Sequence, residues 1–178
     1  MIRLTTMTVA TILLAAAAIP AQACNVEAYK GAAKHLIGPK IPASMLARNN
    51  KAASLGAGIV GLWHVVHYNP DGSLGFESFE QWHSDGTEFE FANIPPATGD
   101  ICMGTWQQNG RGAQLWHTGW TFNEDGSSSG TMVLTGTDKV AADGNSFTGT
   151  FHVKFFDVNG NQYFKASGTT VADRLSVQ

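Results

Sequence analysis

Residues 143–160 have the sequence DGNSFTGTFHVKFFDVNG, and this stretch decides the fold. It contains the pairs Asp143-Gly144 and Asn159-Gly160, which favour tight turns between antiparallel strands because glycine tolerates positive φ angles. Between these two turns, apolar and polar residues alternate, which is the pattern of a strand with one buried face. We therefore predict a strand over 146–157 whose inward residues are Phe147, Gly149, Phe151, Val153 and Phe155.

The same kind of turn recurs along most of the chain, at Asp71-Gly72, Asp85-Gly86, Asn109-Gly110 and Asp125-Gly126. Eight antiparallel strands are enough to close a barrel that holds side chains or one small ligand inside. The sequence thus predicts an all-β, eight-stranded antiparallel up-and-down (meander) barrel over 59–178. Its predicted strands are 59–68, 74–83, 87–92, 101–108, 112–122, 130–140, 146–157 and 162–175.

The first residues have the features of an export signal. Arg3 precedes an apolar run over 7–19, and Ala21-Gln22-Ala23 forms a cleavage site of the Ala-x-Ala type. We predict a signal peptide over 1–23 and export to the periplasm or beyond, with no transmembrane segment because the apolar run is short. Residues 24–58 lack the strand alternation, and their spacing predicts a short helical N-terminal cap or strap.

Cys24 and Cys102 are the only cysteines of the chain. An oxidising compartment favours a disulfide between them, which would tie the mature N-terminus to the barrel wall. The alternative is lipid attachment at Cys24, because bacterial lipoproteins begin with a cysteine directly after the cleavage site. Ala21 differs from the Leu that such signals usually carry at this position, and the sequence leaves both possibilities open.

Charge and motifs exclude several classes of function. The net charge is −3 and no basic cluster occurs, so the chain lacks the footprint of a nucleic-acid binder. No Gly-x-Ser-x-Gly elbow, phosphate-binding glycine loop or dinucleotide fingerprint occurs either. His64 and His67 fall on opposite faces of a strand, with His67 inward. We therefore predict no metal site and no cofactor.

The two ends of the predicted barrel resemble a known pattern. Gly61-Leu62-Trp63 opens the first strand and Arg174 lies at the end of the last. This resembles the calycin pattern of lipocalins, and the resemblance implies that Trp63 plugs the closed end of the barrel and that Arg174 packs over it. The lipocalin resemblance is limited to Gly61, Trp63 and Arg174.

Residues 61–175 also resemble a family of small exported bacterial β-barrel proteins. The shared pattern comprises QWHSDGTE at 81–88, Gly104-x-Trp106 and Leu115-x-His117-x-x-Trp120. This resemblance implies the barrel fold and adds little about function. A looser similarity in shape is to barrels of the allene oxide cyclase and dirigent type, which enclose an apolar substrate.

Our leading hypothesis is an exported protein that binds a small hydrophobic or aromatic molecule inside the barrel. The number of strands, the aromatic content and the lack of a catalytic motif support it. Tryptophan and phenylalanine would supply an apolar lining, and a few polar groups would orient the ligand. The predicted ligand-binding residues are Gln81, Trp106, His117, Trp120, Phe151 and Phe155.

The second hypothesis is a cofactor-free cyclase or isomerase that acts on an apolar substrate. The hairpin at Asp85-Gly86 is expected to bring His83 near Glu88, and an inward His117 would reach the same cavity. A histidine beside a carboxylate can act as a general base. The alternative for His83 and Glu88 is an exposed turn pair of little energetic value. A third hypothesis is a packed barrel that binds partners through its surface, and the sequence does not decide the oligomeric state.

Overall fold

The computed structural model describes residues 58–95 and 99–176. These residues form eight antiparallel strands in the order of the sequence. Each strand pairs with the next strand of the sequence, as expected for a meander. The strands are β1 Gly61–Tyr68, β2 Leu74–Trp82, β3 Thr87–Ala92, β4 Ile101–Asn109, β5 Gly112–Phe122, β6 Ser128–Val140, β7 Ser146–Phe156 and β8 Gln162–Leu175.

The sheet closes on itself because β8 pairs with β1, from Leu62 opposite Leu175 to Tyr68 opposite Thr169. This closure confirms the predicted all-β, eight-stranded meander barrel. The predicted inward face of β7 is confirmed as well, since Phe147, Phe151 and Phe155 are all buried. Among the described residues, no helix is long and apolar enough to cross a membrane.

Several predictions concern residues outside the described ranges. The predicted signal over 1–23, the predicted helical cap or strap up to residue 57, and Cys24 all lie there. The export signal, the cap and the Cys24–Cys102 disulfide therefore stay predictions. Cys102 itself lies on β4, where it is buried and faces the barrel interior.

The hairpin turns depend on glycine, as predicted. The six glycines of the Asp-Gly and Asn-Gly pairs have φ angles between 59° and 88°. In the β1–β2 hairpin, the Gly72 amide donates to the Asn69 carbonyl at 2.9 Å, and the Ser73 amide donates to the Asp71 carboxylate at 2.9 Å. The side-chain acceptor and the left-handed glycine thus fix the turn together.

One end of the barrel is closed by aromatic packing. Trp63 is fully buried, its ring meets Phe147 edge-on with centroids 4.9 Å apart, and its Nε1 donates to the Ile59 carbonyl at 2.7 Å. The guanidinium carbon of Arg174 lies 4.0 Å from the centre of the Trp63 ring. Arg174 also donates to the carbonyls of Gly144, Val60 and Gly58. Arg174 therefore ties the start of β1 and the β6–β7 loop to the plug.

Candidate functional site

The middle of the barrel interior is polar, which is unusual for the core of a small β protein. Among the described residues, six histidine, glutamate and aspartate side chains are buried there, each with at most 7% of its surface exposed. We refer to them as the interior cluster. Its members are His67 on β1, Glu80 on β2, Glu88 and Glu90 on β3, His117 on β5 and Asp138 on β6.

The strand register explains why the glutamates of β3 face inward. Trp82 is buried, and its partner across the β2–β3 ladder is Glu88. Directly paired residues point to the same side of a sheet, so Glu88 faces inward, and Glu90, two positions later, does so too. The phenylalanines of β3, Phe89 and Phe91, consequently lie outside, with 37% and 46% of their surface exposed.

A glycine makes room for His117. Gly104 on β4 pairs with Glu88 on one side and with His117 on the other. A Cβ atom at Gly104 would lie only 2.5 Å from the His117 Cβ, well inside van der Waals contact. The absence of a side chain at this position therefore lets the imidazole reach across β4 to Glu88 on β3.

His117 lies between two glutamates. Its Nδ1 is 3.4 Å from Glu88 Oε2, and its Nε2 is 3.5 Å from Glu90 Oε2. The contact with Glu88 favours the tautomer that carries its proton on Nδ1. In the neutral form of this tautomer, the Nε2 atom presents a lone pair to the barrel interior.

His67 contacts the opposite side of Glu90. Its Nε2 lies 3.2 Å from Glu90 Oε1, 3.8 Å from Glu80 Oε1 and 3.1 Å from the Ser78 hydroxyl. The ring stacks on Phe76 with centroids 4.0 Å apart. Glu90 therefore bridges the two imidazoles, one on each carboxylate oxygen.

Two further carboxylates have neutral donors as partners. Trp82 Nε1 donates to Glu80 at 2.9 Å, and the Thr170 hydroxyl donates to Asp138 at 3.1 Å. One neutral hydrogen bond compensates only part of the cost of burying a charged carboxylate. Glu80 and Asp138 are therefore the acids most easily kept protonated.

Within the interior cluster, the pKa values of neighbouring side chains are shifted in different directions. Burial raises the pKa of Glu80 far above its usual range, together with the charges of Glu90 and Glu88, and burial raises the pKa of Asp138 to about 7. Burial also raises the pKa of Glu88. Burial alone would raise the pKa of Glu90, but His67 and His117 outweigh it and lower the pKa to about 2. Burial would lower the pKa of His117, yet Glu88 and Glu90 raise it.

The interior cluster has an excess of acceptors. It contains four carboxylates and two imidazoles, and no lysine or arginine is buried among the described residues. Within the described part of the chain, four buried polar atoms of the cluster have no hydrogen-bond partner. Such atoms are costly to bury, so they indicate a position for a bound group. They are His67 Nδ1, Glu88 Oε1, Glu90 Oε1 and His117 Nε2.

Two overlapping sets of three side chains could hold a metal ion. One set is Glu90, Cys102 and His117, and the other is His67, Glu80 and Glu90. In each set the three donor atoms lie within 4.8 Å of one another. Glu90 belongs to both sets.

The structure places the predicted ligand-binding residues on both sides of the wall. Phe151, Phe155 and His117 face inward and are buried. Trp120 is 67% exposed and Gln81 is also exposed, so their side chains lie on the outer surface. The reason is register: Gln81 alternates with the buried Trp82, and Trp120 is an odd number of positions from His117.

Trp106 and His83 lie at the rim of the closed end. The ring of Trp106 packs edge-on against Trp82 at 5.8 Å, and its Nε1 donates to the His83 carbonyl at 2.9 Å. The His83 side chain is exposed, on the face opposite to Glu88. The expected contact of His83 with Glu88 is therefore replaced by the contact of His117 with Glu88.

Sequence reasoning missed Glu80, Glu90 and Asp138 as members of the site. A signal for the two glutamates exists: the Asp85-Gly86 turn fixes the β2–β3 register, and an inward Trp82 then requires inward Glu80, Glu88 and Glu90. No comparable local signal marks Asp138, whose partner Thr170 is 32 residues away.

We expect Asp138 to make the stability of the barrel depend on pH. Its pKa is raised to about 7 in the folded chain, whereas the unfolded chain releases the same proton near the ordinary value of 3.8. The stabilising contribution of Asp138 is thus complete below the lower value and is lost as the pH rises through the higher one. Asp138→Asn keeps a neutral partner for Thr170, so the variant should melt higher than the wild type at about pH 8 and show little difference at about pH 4. Parallel melting curves at every pH would contradict this assignment.

No known family model matches the chain, and no curated protein is significantly similar to it in sequence.

Proposed function

We propose that the protein binds a small molecule inside its barrel, with the interior cluster holding the polar part of that molecule. The observation that carries this proposal is the set of four buried polar atoms that have no hydrogen-bond partner among the described residues. A native interior rarely leaves such groups unsatisfied, and a ligand with donors and acceptors would satisfy them.

The walls around the cluster suit an apolar or aromatic body. Phe76 stacks on His67, and Phe151 meets the same ring edge-on with centroids 5.5 Å apart. Met132 and Phe155 are buried on neighbouring strands. A small aromatic molecule that carries an amine or hydroxyl donor would therefore match both parts of the interior.

The closed end supports a relationship to lipocalin-like barrels and indicates the direction of entry. Trp63 and Arg174 seal the end at which β1 begins. A ligand would then enter at the opposite end, where the hairpins 69–73, 123–127 and 157–161 lie. Export of the chain, predicted from residues 1–23, is part of this proposal and agrees with a binding protein that works outside the cytoplasm.

The test is a titration with N-phenyl-1-naphthylamine, a neutral aromatic amine whose fluorescence rises in apolar surroundings. We expect saturable binding at one site, and we expect Glu90→Gln to weaken it by about tenfold or more because a charged hydrogen-bond partner is lost. Trp120→Ala removes an exposed aromatic ring from the outer face and is the matched control.

Two results would contradict the interior site. One is the absence of saturable binding to the wild type. The other is binding that Trp120→Ala abolishes and Glu90→Gln leaves unchanged, because this would place the dye on the outer surface.

A second candidate function is acid–base catalysis of the cyclase or isomerase type. The specific observation in its favour is that buried neighbouring groups have pKa values pushed in opposite directions, raised for Glu88 and lowered to about 2 for Glu90. His117 would move the proton, with Glu88 holding its ring. His117→Gln should then abolish turnover of an apolar epoxide while the melting temperature changes little; a large drop in melting temperature would assign His117 to the structure.

A further inference from the structure

The interior cluster and the neighbouring Cys102 together offer a set of donors that an organic ligand alone would not require. Glu90, Cys102 and His117 come from three adjacent strands, β3, β4 and β5. Glu90 pairs directly with Cys102 across the β3–β4 ladder, so both side chains point inward at the same level. Each side chain is at most 2% exposed.

The histidine of this set is oriented as in a metal site. Histidines that bind metals usually donate their other ring N–H to a carboxylate, which fixes the tautomer and the ring plane. Here Glu88 Oε2 lies 3.4 Å from His117 Nδ1. The remaining nitrogen, Nε2, has no hydrogen-bond partner in the described part of the chain.

The distances suit ligands around a single ion. His117 Nε2 and Glu90 Oε2 are 3.5 Å apart, and His117 Nε2 has no hydrogen-bond partner among the described residues. Two ligands that each lie about 2 Å from a zinc ion are separated by a distance of this order.

Charge favours a cation at the same point. The buried residues of the described barrel include four carboxylates and no lysine or arginine. Two of these carboxylates, Glu88 and Glu90, each have an oxygen within 3.5 Å of the His117 ring, so acidic side chains surround the point where the donors meet. A divalent ion is a compact way to balance such neighbouring carboxylates.

We propose that Glu90, Cys102 and His117 form a binding site for a divalent transition-metal ion of the zinc class, with Glu88 positioning the histidine. The combination of thiolate, imidazole and carboxylate selects zinc or cobalt over magnesium or calcium, which prefer oxygen ligands only. The other set, around His67, is less suited because His67 Nε2 already contacts the Ser78 hydroxyl at 3.1 Å. The site shares Glu90 and His117 with the proposed function, and it goes beyond that function because it adds Cys102 and is tested without an organic ligand.

The test is calorimetric titration of the full chain with zinc chloride, followed by cobalt(II) absorption spectroscopy. The wild type should bind one equivalent of zinc, and its cobalt form should show a thiolate-to-cobalt charge-transfer band in the near ultraviolet. Glu88→Gln should weaken zinc binding by about 10–100-fold, the usual effect of removing the partner of a ligating histidine. Cys102→Ser should remove the charge-transfer band.

His152→Gln is the matched control, because His152 lies exposed on the outer face of β7. It should bind zinc as the wild type does, whereas His117→Gln should lose the site. Circular dichroism of each variant shows whether the barrel is intact. Of the substitutions used here, Cys102→Ser keeps the side-chain volume nearly unchanged. Stoichiometric zinc binding that His117→Gln leaves unchanged would overturn the proposal, as would a wild-type cobalt spectrum without the thiolate band, the result expected from a Cys24–Cys102 disulfide.

The two proposals fail in different ways. Saturable dye binding together with no zinc binding would leave the proposed function intact and overturn the metal site. Zinc binding with the expected variant pattern would support the metal site even if no organic probe binds.

Discussion

Trp63→Ala should destabilise the barrel more than any other single truncation of a core side chain. Trp63 is fully buried, packs on Phe147 and lies under the Arg174 guanidinium. Truncating a large aromatic side chain in a packed core costs about 3–5 kcal/mol, because apolar contacts are lost and a cavity remains. The variant would also leave Arg174 without its aromatic partner. Urea denaturation followed by circular dichroism measures the change.

Trp120→Ala is the control for this prediction. Trp120 is 67% exposed on β5, and truncating a surface side chain usually changes the free energy of unfolding by less than about 0.5 kcal/mol. Equal losses for Trp63→Ala and Trp120→Ala would mean that the ring of Trp63 does not plug the barrel as described.

Gly104→Ala should disrupt the interior cluster directly. The new Cβ atom would lie 2.5 Å from the Cβ of His117 and 2.5 Å from the carbonyl of Trp116, and neither can move without shifting β5. Forcing a methyl group into a packed interior costs about 1–3 kcal/mol. Displacement of His117 should also abolish zinc binding and weaken dye binding. Thermal melting, the zinc titration and the dye titration of this one variant measure these effects.

Gly136→Ala is the matched control, since Gly136 is a strand glycine of β6 for which the structure leaves room. A Cβ atom there would meet its neighbours at 3.5 Å or more, which is ordinary contact. We expect unchanged stability or a gain of up to about 1 kcal/mol, because alanine restricts the unfolded chain. An equal loss of stability in Gly136→Ala and Gly104→Ala would contradict the conclusion that the missing side chain at Gly104 positions His117.

The fold could be predicted because its signals are local. Each Asp-Gly or Asn-Gly pair marks a turn through the conformational freedom of glycine, as the positive φ of Gly72 and Gly160 shows. The alternation in β7 is also local, and it placed Phe147, Phe151 and Phe155 correctly. Eight turn-bounded segments then leave few topologies besides a meander.

The site could be predicted only in part, because register and not local hydrophobicity decides which face is buried. In β3, hydrophobicity alone would turn Phe89 and Phe91 inward, yet pairing with β2 turns Glu88 and Glu90 inward. The same applies to β5, where the exposed Trp120 and the buried His117 are assigned by the ladders to β4 and β6.

The possible metal donors escaped prediction for a related reason. A search for metal ligands in sequence looks for short spacings, and the pair His64 and His67 fails because the two side chains lie on opposite faces of β1. Glu90, Cys102 and His117 are 12 and 15 residues apart along the chain and meet only when the barrel closes. From the sequence, the role predicted for Cys102 is that of a disulfide partner of Cys24.

The interior cluster is expected to lower the free energy of unfolding of the barrel. Buried charges without full compensation are costly, and replacing them with apolar residues often stabilises a protein. A cluster that includes Glu88, Glu90 and His117 is therefore expected where binding, and not stability, determines the residues.

A crystal structure of the protein soaked with N-phenyl-1-naphthylamine tests the central claim most directly. We predict density for the dye inside the barrel, with its amine near Glu90 or His117 and its rings against Phe76 and Phe151. Density for the dye on the outer face beside Trp120, with an interior whose polar atoms are all satisfied by ordered water, would contradict the claim.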